Sequence, residues 1–126
     1  MNRAIPIALT AGLALVTAAP SFAHHSSSMY DKEREVTLNG VVTEFQWTNP
    51  HVYIELDTVE NGARAHYSIE TGPIRTMMKL GWKVRSLKSG DRVKLVVHPM
   101  RNGTRGGLIV SATLPDGRFM PYDPAP

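Results

Sequence analysis

Val52-Tyr53-Ile54-Glu55-Leu56-Asp57, then Asn61-Gly62, then Ala65-His66-Tyr67-Ser68-Ile69-Glu70: this stretch decides the fold. Apolar and polar residues alternate on both sides of an Asn-Gly pair, the strongest short signal for a two-residue hairpin turn. If Glu60 pairs with Ala63 across the turn, Leu56 faces Tyr67 and Ile54 faces Ile69 on one side. Asp57 faces His66 and Tyr53 faces Glu70 on the other. Both faces come out consistent, and a slip of one residue would mix them.

Upstream, 36–47 reads as another strand, closed against Val52 over Thr48-Asn49-Pro50-His51. Val36 and Leu38 share one phase; Val41, Thr43, Phe45 and Trp47 share the other. Gly40 sits at the flip, which predicts a β-bulge and a bend there. Downstream, Gly72-Pro73 breaks the pattern. The 73–80 segment predicts a short helix with Pro at its first turn, Gly81 as its stop, and an apolar side of Ile74, Met77, Met78 and Leu80. Then 92–98 alternates, with Val93, Leu95 and Val97 inward, and 108–114 is the last strand. Three strands, a short helix and two strands predict a mainly β domain. The expected architecture is a small five-stranded OB-like barrel with one short helix between strands 3 and 4.

The ends read differently. Arg3, an uncharged apolar run from Ala4 to Ala19, and Ser21-Phe22-Ala23 form a secretory signal peptide, residues 1–23. The apolar run is too short to span a bilayer, which takes about 20 residues. Residues 24–35 are expected to form a flexible polar arm, 36–115 the barrel, and 116–126 a loose Pro-rich tail. Removing 23 of 126 residues leaves 103, enough for one core-stabilised domain. The chain has no Cys, which excludes disulfides, thiolate metal sites and a cysteine nucleophile. Localisation is expected to be periplasmic, with no transmembrane anchor after cleavage.

Charge excludes a further class. Arg3 leaves with the signal, so the formal +3 of the whole chain falls to +2. The outer positions of the first three strands are read as Val42, Glu44, Gln46, Tyr53, Glu55, Asp57, His66, Ser68 and Glu70. Four are carboxylates and none is Lys or Arg, so nucleic acid would be repelled there. The basic residues gather elsewhere, at Arg75, Lys79, Lys83, Arg85 and Lys88 around the helix and at Arg92, Lys94, Arg101 and Arg105.

The histidines carry the chemistry that remains. His66 is expected to pair with Asp57 across the hairpin. Cleavage after Ala23 makes His24 the new N-terminus, where its α-amino and ring nitrogens can chelate one metal. A third nitrogen from His51 or His98 would complete an arrangement suited to Cu(II). Met29 and Met100 offer soft contacts to Cu(I). The expected metal residues are therefore His24, His51 and His98, with copper as the cofactor. Trp47, Asn49, Met100 and Arg101 are expected to line a binding rim. The competing expectation is a metal-free module that contacts a protein or cell-envelope partner through the Trp47–His51 turn and the Arg101–Arg105 loop. No nucleophile elbow or phosphate loop is present, so no catalytic residue and no enzyme activity are predicted.

Several motifs recur together. They are His24-His25-Ser26 with Tyr30-Asp31; Gly40-Val41-Val42; Trp47-Thr48-Asn49-Pro50-His51; and Gly81-Trp82. Ser86-Leu87-Lys88-Ser89-Gly90-Asp91, His98-Pro99, Gly106-Gly107 and Leu114-Pro115-Asp116-Gly117 complete the set. In these the chain resembles a family of small exported proteobacterial proteins catalogued as a domain of unknown function. It departs at Ser27, where such proteins commonly carry Phe. The resemblance implies a periplasmic protein and supplies no catalytic residue.

Overall fold

The computed structural model describes residues 27–122. The expected signal peptide, His24, His25 and the last four residues of the tail lie outside the described residues. The strands are β1 (Val36–Gln46), β2 (Tyr53–Glu60), β3 (Ala63–Glu70), β4 (Arg92–Pro99), β5 (Gly106–Thr113) and β6 (Phe119–Pro121), with helix α1 (Ile74–Lys79) between β3 and β4. Strand order is β3-β2-β1-β4-β5-β6, and a parallel pairing of β3 with β5 closes β1–β5 into a barrel. This is the expected OB-like architecture: five barrel strands and one short helix after the third.

The hairpin register is the one the sequence dictates: Leu56 opposite Tyr67, Ile54 opposite Ile69, Asp57 opposite His66 and Tyr53 opposite Glu70. Its turn is built by Asn61 and Gly62, both at positive φ, the backbone that a two-residue turn of this hand requires. Val52, Ile54, Leu56, Ile69, Leu95 and Val97 fill the core as expected. Met77, Trp82 and Leu87 plug the helix end of the barrel. Among the described residues, the Trp82 indole N–H is buried without a partner.

Four expectations need correction. The phase of β1 flips at Thr43, where the register steps from Val42 opposite Leu56 to Glu44 opposite Glu55. Val42 therefore points into the core rather than outward. Gly40 plays another part. A Cβ there would run into the Asp57 carbonyl, so β1 passes β2 closely as it turns to pair with β4. Met78 is exposed, because a six-residue helix shows the core only a narrow stripe, centred on Met77.

The termini are also more ordered than their composition suggests. Over Ser27–Asp31 the arm is docked, not free: a 3₁₀ turn at Ser27–Met29 leads into a bridge between Tyr30 and Met100. The Asp31 N–H donates to the Pro99 carbonyl and the Arg101 N–H to the Met29 carbonyl, at 2.8 and 2.9 Å. The tail contributes β6, which pairs with β5 and buries Met120. Among the described residues, no helix is long and apolar enough to cross a membrane.

Candidate functional site

The outer face of β2 and β3 is a network of paired charges. Both ring nitrogens of His66 are engaged, Nδ1 by Asp57 at 2.7 Å and Nε2 by Glu55 at 2.8 Å. Carboxylates only accept, so both nitrogens donate and the ring is an imidazolium with no lone pair to offer. Asp57 and then Glu55 hold the His66 pKa above its ordinary value. Ser68 donates to Glu55 at 2.7 Å, and Arg64 pairs with Asp57. Glu44 stands opposite Glu55, so this relief of the second carboxylate offsets a like-charge neighbour.

One strand position further, the environment changes. Glu70 is 7 % exposed and sits at the centre of a hub. The Tyr30 hydroxyl donates to one carboxylate oxygen, and His51 Nδ1 donates to the other at 2.8 Å. Burial first, and then the Glu70 carboxylate, raise the Tyr30, Tyr53 and Tyr122 phenols above the ordinary tyrosine value, Tyr30 well above it. The phenols stay protonated, and Tyr30 serves Glu70 as a donor. The hub joins the arm, the β1–β2 turn, β2, β3 and the segment after β6.

His51 reaches Glu70 because the next residue is pinned. The Val52 N–H donates to Gly72 at 2.8 Å, and the Val52 carbonyl accepts from the Thr71 N–H and hydroxyl. His98 is fixed differently: its Nδ1 lies 2.8 Å from the Arg34 carbonyl. A carbonyl and a carboxylate accept here, so Nδ1 donates in both rings, and in the neutral form of each ring the lone pair is on Nε2. An oxygen acceptor behind Nδ1 is the usual support of a metal-ligating histidine.

The sheet places these two rings on one face. Glu70 and His98 are both registered on Leu108 of β5, so they lie in one row two strand spacings apart, on the order of 10 Å. Tyr30 spans that gap, its backbone at Met100 and its hydroxyl at Glu70. The third expected ligand, His24, lies outside the described residues. Among the described residues, no group of three or more His, Asp and Glu is disposed to hold a metal ion.

The expected rim residues have structural partners. Trp47 packs against Phe45, ring centroids 5.5 Å apart. Asn49 accepts from the Ile74 N–H at 3.1 Å, satisfying an orphan amide at the start of α1. Met100 bridges to Tyr30. Arg101 donates to the Ser28 carbonyl at 3.1 Å and lies 3.8 Å from Asp31, stapling the arm. Arg105 pairs with Glu60 at 3.1 Å. The Glu70 hub itself was missed, since Tyr30 and Glu70 are forty positions apart. The one sequence signal was Tyr30 itself, a large aromatic in an otherwise polar arm.

A family model described as a family of unknown function (DUF6152) matches residues 13–111. No curated protein matches the chain. No solved structure matches it either.

Proposed function

We propose, for a chain that belongs to this family of unknown function, that it is an exported, non-catalytic binding module that takes up copper. The α-amino and ring nitrogens of His24, freed by cleavage after Ala23, chelate Cu(II), and Nε2 of His51 or His98 supplies a third nitrogen. One observation carries this reading: both rings are held at Nδ1 by an oxygen acceptor, which leaves Nε2 as the nitrogen that can ligate from the neutral ring. His66, bonded at both nitrogens, is not part of it. The docked arm supports the reading too. His24 is five residues before Met29, and five residues reach at most about 17 Å, enough to return to the barrel face.

The test is Cu(II) electron paramagnetic resonance on His51→Gln and His98→Gln beside the parent. One of the two substitutions should remove a nitrogen from the coordination sphere and weaken binding by about tenfold or more. A parent spectrum unchanged in both variants would overturn the assignment of the third ligand to the barrel.

A further inference from the structure

Between Glu70 and Asp91 the chain has no carboxylate and five cations: Arg75, Lys79, Lys83, Arg85 and Lys88. All five are exposed, and among their described contacts only Lys88 has an acidic partner, Asp91 at 2.7 Å. The backbone aims them deliberately. In α1, Met77 is fully buried, so Arg75, Met78 and Lys79, spaced i, i+3 and i+4, share the outer stripe. After the buried Trp82, a tight turn closes on itself: the Ser86 N–H donates to the Lys83 carbonyl at 2.9 Å, and the Lys83 N–H to the Ser86 hydroxyl at 2.8 Å. Val84 and Arg85 occupy its corner, and Leu87 returns to the core.

Two apolar–cationic doublets therefore protrude, Met78-Lys79 and Val84-Arg85. Met78 is 62 % exposed and Val84 58 %, two of the four most exposed large apolar residues described. The acids on the outer face of β1–β3 are matched there by Arg64, His66 and Arg105, whereas the helix-end cations have one acidic partner, Asp91, among their described contacts. The depression beside Met78-Lys79 is a shallow one shared with Asn49, Pro73, Ile74 and Arg75. Such a surface fits a plane better than an inserted peptide.

We infer that the helix end of the barrel docks on an anionic phospholipid surface, with the five cations at the headgroup phosphates and Met78 and Val84 dipping beneath them. This is independent of copper, and the experiment is run with chelator present so that the two readings fail separately. The chain as the cell matures it is floated with mixed phosphatidylglycerol–phosphatidylcholine vesicles and with phosphatidylcholine alone. The parent should partition onto the mixed vesicles and be released by salt. Lys79→Glu with Arg85→Glu should lower partitioning at least about twentyfold, at about fivefold per charge removed. Met78→Ser with Val84→Ser should lower it severalfold even at low salt. All four positions are exposed, and circular dichroism checks that each variant is folded. Absent binding to the mixed vesicles, equal binding to both kinds, or indifference to charge reversal would overturn the inference. Full-strength binding by the Met78/Val84 variant would overturn the insertion of those side chains.

Discussion

Glu70 is where residues of ordinary type acquire an unusual environment. An isolated carboxylate could not be buried so fully; here Tyr30 and His51 donate to its two oxygens. Tyr30→Phe removes one charge-assisted hydrogen bond without changing shape, so it should cost about 2 kcal/mol in urea unfolding. The amide of Asp31, bonded to Pro99 in the docked arm, should then exchange faster than in the parent.

His66 gives a prediction with a definite sign. Its pKa is raised by Asp57 and Glu55, so its contribution is fully present below its ordinary value of about 6.5 and is lost as pH rises through the folded value. Asp57 is lowered, chiefly by His66, so its contribution is present above its ordinary value of about 3.8 and is lost as pH falls through the folded value. The melting-temperature difference between the parent and His66→Gln should therefore be greatest between about pH 4 and 6.5 and shrink on either side. A flat difference across that range would contradict the pairing. The His66–Asp57 contact was legible in the sequence because hairpin register fixes it. The Glu70 hub was not, because its partners come from segments whose meeting depends on closure of the whole barrel.

At the scale of elements, β1 shows where pattern reading loses its footing. Val41 and Val42 are both apolar, so alternation alone could not say which one faces inward. The close passage of β1 over the Asp57 carbonyl decides it, with Val42 inside and the bulge at Thr43. Gly40→Ala should cost about 2 kcal/mol by overpacking, measured by urea unfolding; a neutral substitution would show that the strands can move apart there. The helix and its Gly81 stop were legible from Pro and Gly spacing, but the burial of Trp82 and Leu87 beneath it was not. Those two side chains sit in a segment with no period of its own, and the open end of the barrel is what recruits them. In the tail, Pro and Gly hid a short strand: Met120 contributes to the core while Phe119 and Pro121 face out.

The whole molecule is a barrel closed by the parallel β3–β5 pairing, with a network of paired charges on the outer face of β2 and β3 and a cationic helix end. Closure sets Glu70 and His98 in one row, and the docked arm crosses that row immediately after the segment that begins with His24. The architecture was legible in the order and lengths of the apolar runs. The candidate site was legible only in its ingredients, His51 and His98, whose support at Nδ1 comes from Glu70 and the Arg34 backbone.

The most direct test of the copper proposal compares two forms of the chain, one beginning at His24 and one with a single alanine in front, after intact mass has verified each start. Both are titrated with Cu(II) by calorimetry. The account predicts tight one-to-one binding for the first form and its loss in the second, because the added residue takes the α-amino nitrogen away from the His24 ring. Equal binding by the two forms, or weak binding by both, would contradict it.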